Sequence, residues 1–318
     1  MILPARYDTL KAMSFPKTSR LPDIRGTFAK RWTDAGTGLL FVLATLACVV
    51  AFVATFYFFV RTTTGQYIDE SALVEAATIN GPAERATTQF LDWLPVISVA
   101  IAAVVVLFVT IMRRRWKSAG IALAACVAAN LATQLLKDWF PNRPFRGVQT
   151  IELNSLPSGH TTLAASAAAA VFLVVSPRWR PVAGFLGGTF AVAAGVSTLI
   201  NQWHRPADVV AAFLVVGAVM LPAGWLVLRT GKRWNVQDGR GGHWASSRLW
   251  LLLAAVAGIS AAAVSVYSLL KIAPGVGRES STTNYFWAGV SLIVITGYLA
   301  TVAATWLFDV SARRRQSP

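Results

Sequence analysis

The sequence predicts an all-α integral membrane protein of about eight spans, and three observations carry that prediction. Of the 318 residues, 55% are hydrophobic and only 14% are charged, where a soluble domain carries about 25% charged residues. The mean hydropathy is accordingly positive, at +0.54. Eight stretches, near 37–60, 93–112, 118–136, 160–177, 182–203, 207–228, 249–270 and 286–308, approach the roughly 20 apolar residues that a bilayer crossing needs. The basic residues, finally, collect in alternate connections between those stretches, as the positive-inside rule requires.

Taken in order, residues 1–36, with Pro4, Pro16 and Pro22 among scattered charges, read as a cytoplasmic leader. The span at 37–60 is too long, and lies too far behind that leader, to be a cleaved signal peptide. Residues 62–92, with Asp69, Glu70, Glu75 and Glu84, read as an acidic outer loop with room for a short helix. The stretch at 160–177 is short and rich in alanine. Segment 37–228 thus forms a six-span block. A Gly-bearing linker at 229–248 joins it to a two-span hairpin at 249–308, and 309–318 is a basic tail. Cys48 and Cys126 lie inside apolar runs, so no disulfide framework is implied.

With a cytoplasmic N-terminus, 21 of the 29 Lys and Arg residues fall on the cytoplasmic side and 8 on the other. Asp and Glu divide five inside and nine outside, which gives about +16 against −1. The formal net charge of +15 is therefore a topology signal and not a nucleic-acid footprint. Tryptophans agree: Trp93, Trp139, Trp203 and Trp287 mark one interface, and Trp116, Trp179, Trp250 and Trp306 the other. Both termini are expected in the cytoplasm.

Three polar motifs then share the extracytoplasmic ends of the spans. Lys137-Asp138-Trp139-Phe140-Pro141-Asn142-Arg143-Pro144 follows the third span, Pro157-Ser158-Gly159-His160 opens the fourth, and His204-Arg205-Pro206-Ala207-Asp208 opens the sixth. The chain has three histidines, and two of them stand here among Ser, Asp, Lys and Arg. Cations to hold an oxyanion, one imidazole to attack and another to protonate a leaving group are the equipment for cleaving a phosphate ester. The N-terminal N–H groups of a helix beginning at Ser158-Gly159 suit a phosphate, and Gly159 allows close backbone approach; Ser158 also reads as a plain N-cap. Asp208, four residues after His204, either fixes the imidazole tautomer or merely favours a helix N-terminus. Asn130, Gln134 and Lys137 share one helical stripe, which either faces the site or bonds a neighbouring helix. His243 lies in the linker, away from these motifs.

These residues resemble the type 2 phosphatidic acid phosphatase superfamily, over about residues 90–230. The resemblance rests on a Lys followed by Arg-Pro, on Pro-Ser-Gly-His, and on a later His-x-x-x-Asp. It implies a six-helix lipid-phosphatase-like transmembrane core, with His204 as nucleophile, His160 as general acid and Asp208 orienting His204. Lys137, Arg143, Ser158 and Gly159 would hold the phosphate. Five residues separate Lys137 from Arg143 where the family has six, and Ser197-Thr198 stands where the family has Ser-Arg. Arg146 and Arg205 are the candidates for the missing cation, since a hydroxyl does not replace a guanidinium.

The resulting expectation is a cell-membrane phosphatase acting on lipid phosphates in the outer leaflet through a phosphohistidine. No metal or other cofactor is expected, because the motifs supply no carboxylate cluster suited to Mg²⁺ or Zn²⁺. The partners are a lipid phosphate and the bilayer, with no nucleic acid. A lipid phosphotransferase using the same histidine chemistry and a catalytically weakened scaffold are the alternatives. The lipid is open among phosphatidate, phosphatidylglycerophosphate and polyprenyl mono- or diphosphates.

Overall fold

The computed structural model describes residues 24–149, 154–230, 235, 243–272 and 283–314. Most of the leader, most of the 229–248 linker and the end of the basic tail lie outside the described residues. Among the described residues there are eight α-helices and no strand: α1 (Ile24–Arg61), α2 (Thr63–Arg113), α3 (Trp116–Trp139), α4 (Gly159–Val174), α5 (Arg180–Ile200), α6 (Pro206–Thr230), α7 (Leu249–Ile272) and α8 (Asn284–Arg314). Seven are long and apolar enough to cross a membrane; α4, with 16 residues, is shorter. The outward faces of α1, α2 and α7 expose rows of large apolar side chains, such as Leu39, Val42, Leu46, Val104, Phe108, Leu252 and Ile259. Helices satisfy their own backbone groups, so such faces belong against lipid. The protein is a multi-pass, all-α integral membrane protein.

The turn between α1 and α2 departs from the sequence reading. A single extended residue, Thr62, separates the two helices; its hydroxyl donates to Phe58 O (2.7 Å) and accepts from Gly65 N (3.0 Å). The chain closes on itself so tightly there that a Cβ at Gly65 would overlap the Phe58 carbonyl, which only glycine avoids. Residues 63–92 are then no outer loop. They are the first half of α2, a 51-residue helix. The physical reason lies in the stretch Ser71-Ala72-Leu73-Val74-Glu75-Ala76-Ala77, rich in good helix formers. Its polar residues also recur at helical spacing and find partners on other elements.

Helix α4 sits at the centre, packed against α2, α3, α5 and α6. At about 1.5 Å per residue, roughly 24 Å of helix cannot span ~30 Å of hydrocarbon. Being enclosed by other helices, it does not have to. Polar bonds tie it in: Asn130 Nδ2 donates to Ser166 Oγ (3.0 Å), and the Thr133 and Thr162 hydroxyls lie 3.0 Å apart. Asn130 therefore serves interhelical contact.

Helix α8 packs against α2, α5 and α6 as well as α7. Small residues allow this. Cβ atoms at Gly184 and Gly188 would run into Thr305 and Thr301, and one at Gly289 would lie 2.6 Å from Pro206 Cγ. The last of these puts α8 directly against the residue that starts α6.

Candidate active site

Helix capping builds the centre of the site. Ser158 is extended and wholly buried, and caps α4; its Oγ accepts from Thr161 N (3.4 Å) and Thr161 Oγ1 (3.1 Å). In both bonds the oxygen is the acceptor, so among the described residues the Ser158 hydroxyl proton is unspent. The Ser158 N–H donates to Asp208 O at 2.9 Å, which pins the start of α4 to the first turn of α6. Two helix N-termini thus converge, the arrangement that attracts an anion.

Asp208 is fully buried and is the hub of the polar contacts. Its Oδ2 accepts from Ser155 Oγ (2.6 Å) and Arg205 N (3.0 Å), and lies 3.3 Å from His204 Nδ1. Its Oδ1 is 3.6 Å from Arg143 Nη2. Backbone bonds from Trp203 N (2.9 Å) and His204 N (3.2 Å) to Thr198 O hold His204 in place. His160, half-buried, has its ring centroid 5.3 Å from that of Trp203 and lies within electrostatic reach of His204 and Lys137. Lys137, in the last turn of α3, comes close to Gly159: a Cβ there would lie 3.8 Å from Lys137 Nζ and 4.0 Å from Gln134 Nε2.

Helix α2 adds residues absent from the three motifs. Gln66, Asp69 and Glu70 occupy one face of it, at positions i, i+3 and i+4. Gln66 Nε2 donates to Pro144 O at 2.9 Å. Asp69 Oδ2 pairs with Arg143 Nη2 at 3.2 Å, and Asp69 Oδ1 accepts from Ala207 N at 3.0 Å. Glu70 Oε2 accepts from Arg205 Nε at 2.6 Å, and Arg205 Nη1 donates to Ser155 Oγ at 3.1 Å. Burial pushes the Asp69 carboxyl up to about 7, against the pull of Arg143 and with the push of the Asp208 charge. Burial works to lower the Arg205 guanidinium, but the Glu70 hydrogen bond and the nearby Asp208 charge carry it above its ordinary value.

The structure therefore gathers His204, Asp208, Arg143, Arg205, Ser158, Gly159, His160 and Lys137 at one end of the bundle. Arg143 is buried, with Nε and Nη1 lacking hydrogen-bond partners among the described residues. Arg146 is exposed on the connection between α3 and α4. Thr198 is fully buried and its hydroxyl donates to Gly195 O at 2.7 Å, so it serves its own helix. Arg205 is engaged by Glu70 and Ser155. His243 lies elsewhere, beside Trp179 and Trp244, with Nδ1 accepting from Ala245 N. Among the described residues, no group of three or more His, Cys, Asp or Glu side chains is placed to hold a metal ion.

Fold and site together define a helical membrane protein with a histidine–aspartate pair and buried cations at the ends of its spans. The family model described as the PAP2 superfamily matches residues 119–234. Over that stretch, about a third of the chain, the protein is similar to the type 2 phosphatidic acid phosphatases, a likeness that supports phosphatase action on phosphate esters. No curated protein and no solved structure matches the chain. The matched stretch holds every motif residue but stops short of α2. Sequence reasoning had no motif by which to find Gln66, Asp69 and Glu70; their helical spacing was the available signal.

Proposed function

We propose that this protein dephosphorylates lipid phosphates at the extracytoplasmic face through a phosphohistidine on His204. The observation that carries this reading is the His204–Asp208 contact of 3.3 Å beside the buried Arg143. Since Nδ1 of His204 faces Asp208, Nε2 is the nitrogen left to attack phosphorus. Asp208 fixes that tautomer and favours the imidazolium-like charge that develops as the bond forms.

In the first step His204 Nε2 forms the N–P bond while the ester O–P bond breaks, and the departing lipid oxygen takes a proton from His160. In the second, His160 accepts a proton from water as its oxygen bonds to phosphorus. The N–P bond then breaks and inorganic phosphate leaves, with both imidazoles restored. Arg143, Lys137, the Ser158 hydroxyl and the N-terminus of α4 stabilise the equatorial oxygens throughout. The dyad geometry and the buried cation argue against a catalytically dead scaffold.

The test is phosphate release by purified protein from phosphatidate and from a polyprenyl phosphate, with and without a chelator. Release from either lipid, unaffected by chelator, is the expected result. Activity abolished by the chelator and restored by Mg²⁺ would overturn the metal-independent mechanism. Phosphate appearing only on an added alcohol, never in water, would replace hydrolysis with phosphotransfer.

A further inference from the structure

We infer that Asp69 is a positioning residue of this reaction, holding the Arg143 guanidinium and the N-terminus of α6 in one fixed relation so that phosphate ligand and nucleophile address the same phosphorus. The inference rests on the phosphohistidine reading. It concerns a residue on α2, outside the stretch that the family model matches.

The geometry gives Asp69 two jobs at once. One oxygen takes the Ala207 N–H at 3.0 Å, one residue before Asp208; the other meets Arg143 Nη2 at 3.2 Å. Both the Asp69 and Arg143 side chains are at 0% exposure, so neither contact is shared with solvent and screening is weak. The same Nη2 is also 3.6 Å from Asp208 Oδ1. Arg143 therefore stands between two carboxylates, of which only Asp208 also serves His204. Remove the Asp69 charge and Arg143 has Asp208 alone to turn to. Closing that gap would draw Asp208 away from His204, whose contact is already long at 3.3 Å.

With Asp69 in place the competition is relieved. The Nε and Nη1 groups of Arg143, which have no hydrogen-bond partner among the described residues, remain to be used by an anion. Neighbouring residues of the same helix face reinforce the arrangement. Gln66 fixes the Pro144 carbonyl next to Arg143, and Glu70 fixes the Arg205 side chain next to His204. An asparagine at position 69 keeps the size and one acceptor, but it loses the charge that competes with Asp208 for Arg143.

The experiment uses the full-length chain purified in detergent, assayed at pH 8, on the alkaline side of the raised Asp69 carboxyl, with short-chain phosphatidate as substrate. Asp69→Asn is expected to lower kcat about 10- to 100-fold, the range seen when a supporting partner of an active group is lost, while KM moves less than threefold. Asp69→Glu, which keeps the carboxylate, should recover part of that loss. The Asp69→Asn and Arg143→Lys effects should combine to less than their product, because both act through one contact. A melting curve for each variant separates misfolding from mispositioning. Wild-type kcat in Asp69→Asn, no recovery in Asp69→Glu, or effects that simply multiply would overturn the inference.

If wild-type protein releases no phosphate from any lipid, the functional reading fails, and binding then tests the geometry by itself. Inorganic phosphate should raise the melting temperature of wild type, and Asp69→Asn should reduce that rise. An equal rise in both proteins would leave Asp69 without the proposed role.

Discussion

His204 and Asp208 are four residues apart, but their substitutions are expected to differ in kind. In the proposed mechanism the nucleophile has no substitute, so His204→Ala should lose turnover to the limit of detection. In the same mechanism Asp208 acts through tautomer and orientation, so Asp208→Asn should lose about 10²–10⁴-fold and retain a measurable rate. Steady-state kinetics on the same lipid phosphate reads both; an Asp208→Asn enzyme as active as wild type would remove Asp208 from the mechanism. Thr198 offers a second test at this scale. Its hydroxyl is buried and already given to Gly195 O, so it is not a phosphate ligand. Thr198→Val should cost about 1 kcal/mol of stability through the lost bond and leave kcat within about threefold of wild type. A loss of more than tenfold in kcat would give that hydroxyl a place at the substrate.

Among the elements, α2 and α8 bear on the site from outside the matched stretch. Gly289 of α8 faces Pro206, where a Cβ would come to 2.6 Å of the ring, with Ala72 of α2 on its other side at 3.1 Å. Gly289→Val should therefore shift the start of α6, cost about 1–3 kcal/mol by overpacking, and lower turnover through Asp208 in the first turn of α6. Gly258→Ala is the control: the nearest atom, Tyr298 Cβ, is an ordinary 3.8 Å away. Equal melting temperatures for the two variants would contradict this account of α8. The same contacts mark how far the sequence could be read. Seven of the eight expected spans were legible from apolar length, and the coming together of the polar motifs was legible from Pro157-Ser158-Gly159-His160 and His204-Arg205-Pro206-Ala207-Asp208, because helix starts are written in local chemistry. The continuity of α2 was not. Its acidic residues looked like solvent-facing loop charge, and only tertiary pairing with Arg143, Arg205 and Ala207 turns them inward. Thr198 looked like a gap in a cation cluster, whereas its hydroxyl bonds Gly195 O within α5 and its carbonyl accepts the N–H groups of Trp203 and His204.

At the scale of the whole molecule, the two ends of the bundle differ in charge as well as chemistry. The end with the dyad holds its cations against carboxylates: Arg143 with Asp69 and Asp208, Arg205 with Glu70. The opposite end collects Arg113, Arg114, Arg115 and Lys117 at one turn, and Arg178, Arg180 and Arg248 near another. Positive charge of that density is retained on the cytoplasmic side during insertion. The dyad end should then face outward and meet lipids of the outer leaflet. Gln149 and Arg248 are exposed at the two ends, and the native thiols Cys48 and Cys126 lie inside spans. On intact cells, a membrane-impermeant maleimide should label Gln149→Cys and spare Arg248→Cys, and permeabilisation should make both reactive. The reverse pattern would turn the molecule over. It would place the histidines in the cytoplasm and make the substrate an inner-leaflet or soluble phosphate ester. Labelling of both variants without permeabilisation would show that the reagent had entered, and Arg248→Cys therefore serves as its own leak control. The charge argument predicts one outcome only, because inverting the bundle would carry 21 of the 29 Lys and Arg residues to the outside.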